Sequence, residues 1–337
     1  MQKNIRWIAA ALAFLIAALA VFAVVNDILR IKVGAKIDMI HSFYEMDRDT
    51  VDVLCLGSSH CYHSIQPNEL WGNYGISSYV LSSPRQSVPC SYYLLKEALG
   101  YQKPKVVLLE TYCFRYENKY RDEESLRLAI DGMRLGKVKM EMLEDFFGKG
   151  SWKKKLPFMV PFLLYHARWS DLQDKDFIHD RYMKGGILDF GQEPQQMPQM
   201  PERPLDIPEV TAKYLEKMIG LCRENGISLV LFAAPFADTS AGPKALRVNL
   251  ALEEYAVGQG IPFLFYQKTG ELEIDYAADF YDSQHLNTYG TAKLTRKTGE
   301  WLQENYVLAD HRQEEAYESW NADYVLYEEA LEKRIDS

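Results

Sequence analysis

The sequence is poor in cysteine, has no surplus of positive charge, and lacks the dense ligand spacing that marks metal centres. Its five cysteines, Cys55, Cys61, Cys90, Cys113 and Cys222, are odd in number and irregularly spaced over 337 residues, which excludes a disulfide framework. Cys55, inside an apolar run, reads as a small buried apolar residue. A net charge of −9 argues against nucleic-acid binding, which needs a basic face, so no nucleic-acid partner is expected. His60 and His63, three apart, could share a helical face with Asp282 or His285 as further metal ligands, but no dense spacing such as His-Glu-x-x-His occurs; no metal and no cofactor are expected. Low-complexity segments and internal repeats are also missing.

One absence is local. From Trp7 to Val25, 19 residues pass without a charge, in a block of Ala, Leu, Ile, Val and Phe. About 20 apolar residues in a helix span a bilayer. Lys3 and Arg6 precede the block and favour a cytoplasmic amino terminus, although Arg30, Lys32 and Lys36 follow it. A cleavable signal peptide is the rival reading, since Ala20 and Ala23 suit a cleavage site, but the block exceeds the usual h-region of about 7–15 residues. Either way the body of the chain is expected outside the cytoplasm.

The body reads as strand alternating with helix. Short apolar runs at Val51–Leu56, Ser78–Leu81, Val106–Leu109, Ile227–Ala233 and Pro262–Tyr266 alternate with amphipathic stretches. That rhythm means βαβ units and a five-stranded parallel sheet in an α/β sandwich. A helix at Thr288–Glu304, capped by Asn287, follows the last strand. The rhythm breaks at 113–207, with one long helical pattern over Glu123–Phe147, the basic run Lys153–Lys155, an aromatic stretch and a proline-rich connector. The lysines read as a solvated face or as a contact with anionic lipid or polymer. The expected organisation is an anchor at 1–28, a linker at 29–49 with a short helix, an α/β domain of 50–112 and 208–305, an inserted helical cap at 113–207, and a helical tail at 306–337. The tail is acidic, but Tyr317, Trp320, Tyr324, Tyr327 and Leu331 share one stripe, so it should pack on the body.

Two clusters carry chemistry. The first apolar run stops at Gly57-Ser58-Ser59-His60, which sets a hydroxyl at the carboxyl end of the first strand, where open α/β sheets bind ligands. Either serine could also cap the next helix. Asp282-Ser283-Gln284-His285, after the fifth strand, lies at the same sheet edge. A carboxylate three residues from an imidazole can hold one ring nitrogen and leave the other to take a proton, as a serine nucleophile requires. The G-x-S-x-G elbow of α/β-hydrolases does not fit, because position 61 is Cys61.

Together, Gly57-Ser58-Ser59-His60 and Asp282-Ser283-Gln284-His285 resemble the SGNH/GDSL hydrolase superfamily over 50–112 and 208–305. The resemblance implies a three-layer α/β/α sandwich with Ser59 as nucleophile, His285 as base and Asp282 as orienting acid. Ser58 stands where the family usually has Asp. The family's second-block glycine is replaced by Ser82-Ser83-Pro84-Arg85-Gln86, and its Gly-x-Asn-Asp block by Glu110-Thr111-Tyr112. Oxyanion or substrate contacts would then fall to Ser59, Ser82, Ser83 and Gln86, with His60 at the pocket rim. His63 reads as a surface or packing histidine, and His166 as a buried one or one lining the cap side. The anchor and the Gly-Ser-Ser turn are similar to the cell-surface branch that includes the teichoic-acid D-alanylation protein DltD and the alginate O-acetylation proteins. That likeness implies an acylated glycan or wall polymer as partner, and a membrane-bound O-acyltransferase beside it. Transfer, hydrolysis and a non-catalytic assembly role all remain open at this stage.

Overall fold

The computed structural model describes residues 2–30, 37–177 and 183–335. By internal contacts the chain falls into two compact units, Met1–Ala35 with Met140–Asp180, and Lys36–Lys139 with Arg181–Ser337. The larger unit is an α/β fold. Its sheet has five parallel strands in the order β2-β1-β3-β4-β5, where β1 is Val53–Gly57, β2 Ser78–Ser82, β3 Val106–Glu110, β4 Ser228–Phe232 and β5 Phe263–Leu264. The apolar runs in β1 and β3 are buried at every residue, as strands covered on both faces must be.

This strand order reverses direction between β1 and β3, and the crevice at such a switch point is where doubly wound sheets place their ligands. Helices Val88–Ala98 and Glu209–Glu224 pack on each other, and helices Pro67–Tyr74, Thr288–Asn305 and Glu318–Ile335 form another group. Local chemistry sets several of these ends. Ser87 caps Val88–Ala98 by accepting from Cys90 N–H, with Pro89 in the first turn. Asn287 accepts from the N–H groups of Tyr289 and Gly290, both at 3.1 Å, to start Thr288–Asn305. The acidic tail is docked as a helix. Trp320 and Tyr327 are buried, Trp71 Nε1 donates to Asn321 at 3.1 Å, and Tyr327 OH donates to Glu69 at 2.7 Å.

Between β3 and β4 the long helical pattern is two helices, Glu123–Ile130 and Lys137–Phe147, parted at 131–136 where Gly136 favours a break. The short helix expected around residues 29–40 is Ile37–Tyr44, while 31–36 lie outside the described residues. The fifth strand is two residues long, because the chain turns helical at Tyr266–Thr269.

The smaller unit contains Gln2–Leu29, a helix long and apolar enough to cross a membrane, with a mean hydropathy of 2.9 over its most apolar window. It also contains the helices Trp152–Met159 and Phe162–Tyr165. His166 is exposed there, 5.8 Å from the Phe162 ring, rather than buried.

Candidate active site

The turn after β1 is built around Gly57. Its φ is +153°, and a Cβ there would stand 2.5 Å from Glu110 Cβ, so only glycine lets β1 leave the sheet this close to β3. The next two serines divide the roles that sequence left open between them. Ser58 is the N-cap of the short helix Ser59–Tyr62, its Oγ accepting from His60 N–H at 3.3 Å. Ser59 opens that helix and remains half-buried.

Beneath the turn lies a buried acid. Glu110, at the end of β3, is 2% exposed. One of its oxygens accepts from Ser58 Oγ at 2.7 Å and Ser58 N–H at 3.2 Å, and the other from Tyr112 N–H. Burial pushes the Glu110 carboxyl above its ordinary value, partly countered by these hydrogen bonds and by the Arg115 charge. Glu110 figured in the sequence only as the residue replacing an expected amide donor. Its role depends on the β1–β3 pairing, which no local pattern reveals.

The second cluster organises itself. Phe280 bridges Leu286 in antiparallel fashion, and Tyr281 N–H donates to His285 O at 2.9 Å, closing a tight loop. Inside it, Asp282 Oδ1 accepts from the N–H groups of Gln284 at 2.7 Å and His285 at 2.9 Å. His285 Nδ1 lies 2.9 and 3.0 Å from the two Asp282 oxygens. Burial would raise the Asp282 carboxyl, but the His285 hydrogen bond and charge and the two amides outweigh it, leaving it at about 2. Asp282 is therefore a carboxylate throughout the neutral range, and it holds Nδ1 as a donor.

The two clusters meet. His285 Nε2 is 2.8 Å from Ser59 Oγ. A hydroxyl, an imidazole and a carboxylate thus form one hydrogen-bonded line, joined across 226 residues of chain. Such a line can shift a proton from hydroxyl to imidazole while the carboxylate stabilises the imidazolium.

Rings wall this line. His63 stacks on His285 with centroids 4.4 Å apart, and its Nδ1 pairs with Leu286 O at 3.2 Å, so it is a packing histidine. His60 is 1% exposed rather than at an open rim, with its ring 3.6 Å from Tyr112 and 5.0 Å from His285. Neither of its ring nitrogens has a hydrogen-bond partner. Burial, then the nearby charges of His285, Arg115 and His63, hold His60 well below its usual value, so it is neutral. Arg115 lies over Tyr112 at 3.7 Å, and Tyr112 OH donates to Gln284 at 3.2 Å, tying the exit of β3 to the Asp282–His285 loop.

The remaining sequence candidates lie in the turn after β2. Ser82 is in register with Gly57, so this turn runs beside the serine turn. Ser82 Oγ is buried against the Cys61 thiol. The Gln86 amide is spent between its own turn and the helix that follows, accepting from Ser83 Oγ at 3.0 Å and donating to Ser91 Oγ at 3.0 Å.

The proline-rich connector is also part of the setting. Glu193 N–H donates to Phe280 O at 3.0 Å, Gln195 N–H to Tyr276 O at 2.7 Å, and Asn287 Nδ2 to Gly191 O at 3.2 Å. It braces the loop that carries Asp282 and His285.

No protein-family model matches the chain, and no curated protein matches it. Among solved structures, one described as a "putative acylhydrolase" from Bacteroides fragilis NCTC 9343 is similar over 78% of this chain and 93% of its own, with 11% sequence identity and a TM-score of 0.39.

Proposed function

We propose that the protein is a membrane-anchored, extracytoplasmic acyltransferase or esterase of SGNH type, acting on an ester of a cell-surface glycan or wall polymer. The observation that carries this reading is the 2.8 Å contact between Ser59 Oγ and His285 Nε2, with Asp282 on the other ring nitrogen. In this mechanism His285 takes the Ser59 proton as Oγ attacks the acyl carbonyl. The tetrahedral oxyanion is met by backbone donors. Ser59 N–H qualifies because first-turn amides of a helix lack an intrahelical acceptor, and amides of the adjoining Ser82-Ser83 turn supply the second. His285 then protonates the leaving oxygen, and a sugar hydroxyl or water collects the acyl group from Ser59. Neutral His60 beside His285 adds no competing positive charge when the imidazolium forms. The helix Gln2–Leu29 would hold the enzyme in the bilayer, with Lys3 and Arg6 inside and the body outside. A membrane-bound O-acyltransferase would be its natural neighbour in a transfer system.

A fluorophosphonate probe is expected to label the full-length protein, and Ser59→Ala to abolish the label. Equal labelling of the variant would reject Ser59 as nucleophile.

A second reading, a subunit that presents the polymer without chemistry of its own, draws on the spent Gln86 amide and on Glu110 standing where a donor would be expected. Full restoration of surface acylation by His285→Ala in the host would favour it; loss of acylation favours catalysis.

A further inference from the structure

The smaller unit presents an apolar surface that the proposed chemistry does not use. In the helix Trp152–Met159, Trp152 and Leu156 lie one turn apart on one face and are 55% and 42% exposed. In the neighbouring segment Leu163, Leu164 and Trp169 are 46%, 45% and 74% exposed. Five large apolar side chains exposed between positions 152 and 169 mark a stretch that something covers in use.

The attachment of this segment says what covers it. The helix Gln2–Leu29 is exposed from Asn4 to Val25, and its burial begins only at Asn26. There the segment docks. The Phe22 and Phe162 rings lie 5.4 Å apart, Asn26 Oδ1 accepts from Phe162 N–H at 2.7 Å, and Leu29 O accepts from Arg168 at 2.6 Å. Phe22 is three residues short of the end of the apolar block, which is about 4.5 Å of helix. The 19 residues of that block span about 28 Å, close to the hydrocarbon thickness of a bilayer. If the helix spans, Phe162 stands at the level where acyl chains give way to headgroups. Tryptophan favours that depth, and Lys153 and Lys154, both exposed, suit anionic headgroups.

We propose that the exposed apolar side chains of Trp152, Leu156, Leu163, Leu164 and Trp169 lie in the interfacial layer of the bilayer, with Lys153 and Lys154 against anionic lipid. This proposal rests on the membrane-anchor reading of Gln2–Leu29. It makes the anchor a two-part device, a span plus an interfacial collar held to its outer end, and amphipathic segments of this composition bury their apolar face at that boundary.

The test uses the full-length chain in vesicles of phosphatidylcholine with or without phosphatidylglycerol. The native cysteines are all buried, so an environment-sensitive fluorophore can be placed on single added cysteines: Leu164→Cys in the collar, Ile16→Cys in the span, and Val307→Cys, where the residue is 95% exposed. The expected result is a blue-shifted label at position 164, quenched several-fold by a nitroxide near the headgroup. Position 16 should be quenched by a mid-chain nitroxide, and position 307 by neither. Lys153→Glu with Lys154→Glu should reduce quenching at 164 on anionic vesicles and leave it unchanged on neutral ones. A label at 164 that behaves like the one at 307, while 16 is quenched, overturns the collar and leaves the anchor standing. Absence of quenching at 16 overturns the anchor and the collar with it. A blue shift at 164 that depends on protein density and not on the nitroxide assigns the face to a second copy of the chain, and also overturns the proposal.

Discussion

The turn after β1 and the loop after β5 supply the two halves of one hydrogen-bonded line, yet they are held by opposite means. The serine turn depends on a distant residue. Glu110 lies 52 residues along the chain from Ser58, is buried, and takes both polar groups of Ser58. The Asp282–His285 loop takes its inner hydrogen bonds from its own residues, with the connector bracing it from outside. Asp282 is tied to the backbone and ring of residues two and three positions ahead, and the loop is closed by the bridge from Phe280 to Leu286. The difference separates two kinds of damage. A change in the loop should alter chemistry and leave the fold alone, whereas a change around the serine should weaken both together.

The largest effect expected from this contrast is in the loop. Asp282→Asn keeps the size of the side chain but offers an amide to Nδ1 and favours the wrong tautomer of His285. Turnover of an activated ester should fall by about 10⁴-fold. Unfolding of the variant at neutral pH should shift only modestly, since its amide oxygen can still accept from the Gln284 and His285 N–H groups and the 38% exposure screens the charge whose lowered pKa marks its contribution. A large loss of stability in that variant would break the comparison.

Next comes the turn itself. Gly57→Ala forces a Cβ into Glu110 at an unfavourable φ and should cost roughly 2–5 kcal/mol, combining overpacking with backbone strain. Urea unfolding would read this directly, and activity should fall in step with the folded fraction or faster. A neutral outcome would mean that β1 and β3 are not packed this tightly.

The smallest effect concerns the Glu110 charge. Its carboxyl is raised in the folded protein, so the folded state binds the proton more tightly than the unfolded state does. Stability from this group is therefore full below the ordinary glutamate value and is lost as pH rises through the raised folded value. Glu110→Gln cannot titrate, and its NH₂ faces either Ser58 or Tyr112 N–H, leaving a donor unpaired at a cost of roughly 1–3 kcal/mol. The deficit of the variant should be widest in acid and narrow as pH rises across that window. Melts of both proteins over a pH series would check the sign, and a deficit that grows with pH would reverse the assignment.

The contrast also explains what could be seen in the sequence beforehand. Strands β1 to β4 were legible because a doubly covered strand must be continuously apolar, as Val53–Leu56 and Val106–Leu109 are. The Asp282–His285 spacing was legible because its contacts span three residues. Asn287 and the aromatic stripe of the tail were legible for the same reason. Glu110 was not, since its meaning comes from a register between strands. Nor was the inward turn of the Gln86 amide, which is fixed by Ser83 and Ser91 nearby but chosen by packing. The sequence marks 191–196 only as part of a proline-rich connector, because its hydrogen bonds to the Asp282–His285 loop run through backbone groups that every residue possesses. Over Glu123–Phe147 the apolar periodicity continues through 131–136, so the sequence reads as one helix where the chain forms two.

The separation of 226 residues between the hydroxyl and its imidazole has a consequence in time. A polypeptide emerging amino end first carries Ser59 long before His285 exists. Closing so wide a loop costs entropy that is recovered only when the sheet between them is complete. On the proposed reading, a half-made chain would carry a bare alcohol and no reactivity, and competence would arrive late and all at once, after the last strand has joined its neighbours.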